Sequence, residues 1–139
     1  MQRRWYTVGA IIAGLAMVAT ACTGGTGGGG GTSKGEIIIA SNQPTSGGDA
    51  SDGLPAQNGI QFAVESKGSI KGFKLTFKGW DDTVNGTHDP QKGAQNIQEM
   101  IADAKILGMV GPNNSNVARA QIPIANRANF VMISAANTN

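Results

Sequence analysis

Hydrophobic positions are arranged in two ways along this chain. From Val8 to Val18 eleven residues run apolar, broken only by the small Gly9 and Gly14, whereas from Gly35 onward apolar residues come in short blocks set between polar turns. Glu36 to Ala40 is a β-branched run that predicts a strand buried on both faces, as in a parallel sheet. Ser41 to Gly53 collects Asn, Pro, Thr, Ser, Gly and Asp and predicts a loop, at a length that is often functional. Leu54 to Ser66 puts Ile60, Ala63 and Val64 at helical spacing, with Gly68 beyond the end as a C-terminal cap. Phe73 to Trp80 alternates apolar and polar and predicts a second strand with one wetter face, followed by a turn over Asp81 to Thr87. Asp89-Pro90 then reads as an N-cap and first helical residue, and Ala94, Ile97, Met100, Ile101 and Ala104 form one stripe to about Lys105. Ile106 to Val110 is a third strand closed by Gly111-Pro112, and Asn113 to Asn116 is a polar turn. Val117 to Ala128 suits a helix that Pro123 should kink or shorten. Asn129 to Ile133 is a fourth strand, and Ser134 to Asn139 a polar loop.

The order β-α-β-α-β-α-β, with connections too long for hairpins, predicts an α/β fold with an open, mostly parallel sheet wound by right-handed crossovers. Ligands of such sheets bind outside the carboxyl ends of the strands. Here those ends are the polar segments 42–53, 80–89, 111–116 and 134–139, which suit a hydrogen-bonding cleft.

The apolar run near the N-terminus follows Arg3-Arg4 and spans about half of a bilayer's hydrocarbon core as a helix, a length that fits a signal peptide. Ala19-Thr20-Ala21-Cys22 follows directly, and the whole resembles a bacterial lipoprotein signal. That resemblance implies a signal peptide over residues 1–21, cleavage before Cys22 and acylation of its thiol. Ordinary secretion, with cleavage after Ala19 or Ala21, and twin-arginine export are the alternatives. Several acyl chains would anchor the protein stably to the cell membrane, in an extracytoplasmic location. Thr23 to Ser33 is mostly glycine and cannot bury enough apolar area to offset its ordering entropy, so residues 22–34 read as lipidated cysteine and tether.

Lys and Arg total 11 and Asp and Glu 9. Once Arg3 and Arg4 are set aside the two signs balance, so nucleic acid is not favoured as a partner. Cys22 is the one cysteine and His88 the one histidine, which argues against a metal site, a disulfide and nucleophile–base catalysis. His88 reads as a solvated loop residue. Asp81-Asp82 tempts toward acid–base or metal chemistry, but adjacent residues at a strand end face opposite ways, which favours capping and turn stabilisation. Gly47, Gly48 and Gly53 do not make a dinucleotide or P-loop fingerprint, which leaves a nucleotide-binding enzyme domain little support. No cofactor is expected.

Phe62-Ala63-Val64-Glu65, Ile70-Lys71-Gly72-Phe73-Lys74-Leu75, Trp80-Asp81-Asp82, Val110-Gly111-Pro112 with Ser115, and Val131-Met132-Ile133-Ser134 running to Ala136-Asn137-Thr138-Asn139 occur in a characteristic order. The chain resembles the type I periplasmic solute-binding proteins, specifically the branched-chain amino acid (Leu/Ile/Val) binding family of ABC importers. The resemblance implies a Rossmann-like sheet over residues 35–139, forming an incomplete N-terminal lobe. It also implies a binding protein and not an enzyme, working with an ABC permease and ATPase complex. In that family a serine and backbone amides at the start of the third helix hold the ligand carboxylate, and Ser115 matches that serine. Ala136 and Thr138 match the loop that meets the ligand's ammonium and carboxylate. Asp52 falls where the branched-chain binders usually carry an aromatic residue; it either points to solvent or meets a cationic or hydroxyl-bearing ligand, and the ligand is expected to be an amino acid or a related small amide. Family members have two lobes, and this chain holds most of one, so it reads as an N-terminal fragment. A surface receptor or sensor lipoprotein of the same fold is the alternative to transport.

Overall fold

The computed structural model describes residues 33–138. The leader, Cys22 and all of the tether but its last residues lie outside the described residues, as does Asn139.

β1 (Glu36–Gln43) is followed by a single 3₁₀ turn at Gly47–Asp49 and α1 (Ala50–Lys67). β2 (Ser69–Ile70), β3 (Phe73–Asp81), β4 (Thr83–Val84), β5 (Thr87–His88), α2 (Pro90–Ala102), β6 (Ile106–Val110), α3 (Ser115–Ala128) and β7 (Val131–Ile133) complete the chain. The main sheet has the order β2-β3-β1-β6-β7, and β1 pairs in parallel with both β3 and β6. β7 is parallel to β6, so the predicted open, mostly parallel sheet is present. The first crossover leaves β1 toward β3 and the second passes back over β1 to β6, which places the reversal of strand order between β1 and β6.

One face of the sheet is sealed. Ala40, Met100, Ile106 and Met109 form its buried cluster, with Ile38, Trp80, Phe130 and Met132 packed around it. α2 contributes Ile97 and Met100 and α3 contributes Val117, all fully buried. The two helices meet closely at Gly93, where a Cβ would run into Val117 Cγ1. Because side chains alternate across a strand, Ile39 and Val110 face the other way, toward α1. That face is sparse: α1 buries Gly53 and Val64, while Val131 and Ile133 remain 56% and 63% exposed.

Several boundaries differ from those read in the sequence, each for a physical reason. The loop predicted over Ser41–Gly53 is mostly regular structure. β1 runs on to Gln43 because its last residues pair with Ser41↔Gly79 through Gln43↔Asp81, and α1 begins at Ala50. Pro55 and Pro123 sit inside α1 and α3 without ending them. Both are exposed, so the helix carbonyl each leaves unpaired faces water. Two hairpins break the expectation of long crossovers throughout: β2 pairs antiparallel with β3, and β4 with β5. The second turns at Asn85-Gly86, both with positive φ, 52° and 83°, which is the turn chemistry a two-residue hairpin needs.

Candidate functional site

The carboxyl edge of the sheet is stitched together by hydrogen bonds between its loops. Past β6, the backbone N–H of Gly111 donates to Ile133 O at 2.8 Å, and the Ser134 hydroxyl donates to Pro112 O at 2.7 Å. Asn137 Nδ2 donates to Asn113 O at 3.2 Å. The backbone N–H of Thr138 donates to Ser115 Oγ at 3.0 Å. The segment after β7 is thereby laid across the start of α3.

Ser115 opens α3, with Asn114 as its cap residue. First-turn amides of a helix have no backbone partner within the helix and carry the positive end of its dipole; in α3 the Val117 N–H is already taken by Asn116 Oδ1 at 2.9 Å. Ser115 Oγ accepts from Thr138, which leaves its own O–H free to donate. A cleft of about 180 Å³ opens here, lined by Ser115, Ala118, Arg119, Ile122, Asn137 and Thr138. Arg119 stands one helical turn from Ser115 on the same face. A hydroxyl donor, a helix N-terminus and a guanidinium converge on one small space, an arrangement that fits a carboxylate.

A larger cleft, about 470 Å³, lies between α1 and the sheet. Its walls are Ile39, Ile60, Val64 and Val110, and its rim carries Gln43, Asn113 and Ser134. The apolar walls belong to the sparsely covered sheet face, so polar recognition is confined to the rim. Ala136 lines this cleft and not the smaller one. Of the four positions singled out in the sequence, Ser115 and Thr138 meet directly and Ala136 lies two residues away on the neighbouring cleft. Asp52 is exposed in the first turn of α1, outside both clefts and no longer in a loop.

Asp81 and Asp82 divide as their opposite directions predict. Asp81 turns outward and accepts from the Thr45 N–H, the Thr83 N–H and the Thr83 hydroxyl, each at 3.0 Å. Burial pushes its carboxyl up, but hydrogen bonds from Ser46, Thr45 and Thr83 outweigh this and hold it below the usual aspartate range. Asp82 turns inward and is fully buried. Burial, then the neighbouring Asp81 charge, pushes it up to about 6, against the smaller opposing effects of His88 and the Asn42 amide. A buried amide chain supports it: Asn96 Nδ2 donates to Asn42 Oδ1 at 2.7 Å, and Asn42 Nδ2 donates to Asp82 Oδ2 at 2.8 Å.

His88 is not solvated. Its ring Nδ1 lies 2.5 Å from Asp49 Oδ2, and its side chain is 24% exposed. Among the described residues no group of three or more His, Cys, Asp or Glu side chains could hold a metal ion, and no helix is long and apolar enough to cross a membrane.

A family model described as periplasmic binding protein matches residues 36–139. The chain belongs to the periplasmic binding protein family. Among solved structures, it is similar to the branched-chain amino acid transporter substrate binding protein LivJ from Streptococcus pneumoniae, in complex with isoleucine. The identity is 26% and the TM-score 0.66, over 75% of this chain and 30% of that one. It is similar to the leucine binding protein LivK from Thermotoga maritima, at 27% identity and TM-score 0.66, over 74% of this chain and 28% of that one. At 24% identity and TM-score 0.64, it shares its fold with a solute binding protein of an ABC transporter from Rhodopseudomonas palustris in complex with 3,4-dihydroxybenzoic acid, over 73% and 27% of the two chains. No curated protein matches the chain. The chain therefore spans about 30% of the length of these binding proteins. Within the family frame, the reversal between β1 and β6 is the crevice where open α/β sheets take ligands, and the larger cleft borders it through Gln43, Val110 and Gly111.

Two parts of the site escaped the sequence reading. Arg119 carried a usable signal, since it follows Ser115 by four positions. The Asp49–His88 pair carried none, because its partners are 39 residues apart.

Proposed function

We propose that this chain is the ligand-holding part of an extracytoplasmic solute-binding protein that captures an amino acid or a related small amide for an ABC permease and ATPase complex. The observation that carries this reading is the Ser115–Thr138 contact at the start of α3, with Arg119 on the same cleft. Ser115, Arg119 and the first-turn amides of α3 other than that of Val117 receive the α-carboxylate, and Thr138 and Ala136 serve the adjoining ammonium end. Asp52 points to solvent on α1, outside both clefts, and takes no part in holding the ligand. Residues 1–21 are removed as a signal peptide, Cys22 carries the lipid anchor, residues 22–34 form the tether and residues 35–139 belong to the ligand-binding lobe. The family match and the leucine- and isoleucine-binding neighbours support the solute class.

The test is calorimetric titration of the full-length protein with the twenty amino acids and their amides, comparing wild type with Ser115→Ala. Removing a hydrogen bond to a charged group costs about 1.5–3 kcal/mol, so Kd should rise on the order of 10- to 100-fold. Equal affinity in the two proteins would remove Ser115 from the site. Absence of binding across the panel would remove the amino-acid class.

A further inference from the structure

The β4–β5 hairpin is fastened to the segment joining β1 to α1 along its whole length. At the near end, Asp81 holds Thr45 and Thr83 together, and the Ser46 and Thr83 hydroxyls are bonded to each other. In the middle, the Gly48 N–H donates to Gly86 O at 2.9 Å, and a Cβ on Gly47 would overlap the Gly86 backbone. Gly47 and Gly86 both have positive φ, 67° and 83°, so glycine is needed at each for conformation as well as space. At the far end, Asp49 Oδ2 accepts both the backbone N–H of His88, at 3.0 Å, and the His88 ring nitrogen. These bonds hold the Asp49 carboxyl below its usual range. They also join two segments that the sheet does not pair.

We propose that the hairpin is a brace for the cleft mouth, in which Asp49 and His88 fix residues 44–49 and the first turn of α1. The shape of the mouth is thus set partly by two residues that touch no ligand. This rests on the reading of the carboxyl edge as a ligand site. Asp49 is three residues ahead of Asp52, and Gly53 is pressed against Pro44 O, so movement of this segment carries both the α1 end and the Gln43 rim with it.

The experiment compares wild type, His88→Ala and His88→Asn in the full-length protein, following amide exchange by NMR. The asparagine Nδ2 stands where the ring Nδ1 stood and can still donate to Asp49. In His88→Ala, the Thr45 and Gly48 amides should exchange about three- to tenfold faster, the scale of one lost hydrogen bond, while the amides of 106–110 keep their rates. His88→Asn should return near to wild type. Equal rates in all three proteins, or acceleration that reaches β6 to the same degree, would overturn the brace. With any amino acid or amide that wild type binds, Kd should rise severalfold in His88→Ala and recover in His88→Asn; an unchanged Kd beside faster exchange would refute the role at the mouth. If wild type binds none of that panel, the solute class is lost, and the exchange rates alone decide the brace.

Discussion

On one face of the sheet, α2 and α3 seal Ala40, Ile97, Met100, Met109 and Val117 to 2% exposure or less, whereas on the other, α1 leaves Val131 and Ile133 more than half exposed. The strands are the same, and only the parity of the residue decides which environment it meets. Each large side chain buried on the sealed face contributes about 1.5–3 kcal/mol. The α1 face, with little packing to protect, carries the larger cleft and its polar rim. Packing is thus concentrated on one surface of the sheet and open space on the other, and a substitution should reveal which of them it belongs to.

The largest contrast should come from truncating one residue on each face. Met100→Ala is expected to lower stability by about 2–5 kcal/mol, against less than about 1 kcal/mol for Val131→Ala, measured by urea unfolding. Similar losses would mean that the α1 face is better packed than its exposure indicates. A glycine pair gives the next largest effect. Gly93→Ala forces a methyl into Val117 across the α2–α3 contact and should cost about 1–3 kcal/mol. Gly79→Ala meets the end of the flexible Gln57 side chain under α1 and should cost less than half as much.

Asp82 tests the polar side of the sealed face. Its native carboxyl titrates at about 6, above the ordinary 3.8. The native state therefore binds the proton more tightly than the unfolded chain, and stability falls as pH rises from about 4 through 6, then levels. Asp82→Asn removes that loss. It should be more stable than wild type by on the order of 1–2 kcal/mol at pH 8 and no more stable at pH 4, read from thermal unfolding at the two pH values. A constant difference between them would mean that Asp82 does not titrate in this range. The smallest effect is expected at the exposed helix surface. Pro123→Ala restores a backbone donor to Arg119 O and should add about 1 kcal/mol or less, visible as a rise in Tm of a few degrees.

Much of the fold was legible because its signals are local. The Ile37–Ile39 run, the Asp89-Pro90 helix start and the Ile106–Val110 strand each announce themselves within a few residues, and β6 has the predicted limits. Asp81 and Asp82 were separable on strand parity alone. The boundaries that moved depend on distant partners: β1 extends to Gln43 because β3 runs beside it that far. Pro55 and Pro123 are tolerated because of which way they face, a property their neighbours in sequence do not show. The β4–β5 hairpin is a different case, since Asn85-Gly86 is a hairpin signal in its own right and lay inside the segment read as a turn. At the site, Ser115 and Thr138 could be marked by resemblance, but the hydrogen bond between them is a tertiary fact.

The central place of β1 also bears on the order in which the molecule can assemble. Its two ladders reach forward to β3 and to β6, and the ion pair that closes the second, Lys105 Nζ to Glu36 Oε2 at 3.2 Å, spans 69 residues. β1 must therefore wait until β6, at Ile106–Val110, has been made before its second edge is covered. Contacts of such long range slow folding, because the intervening loop must be closed before they are made. Until then Ile37-Ile38-Ile39 is an open β-branched edge able to pair with another copy of itself. The yield of native molecules on refolding should therefore fall as the concentration of the chain rises.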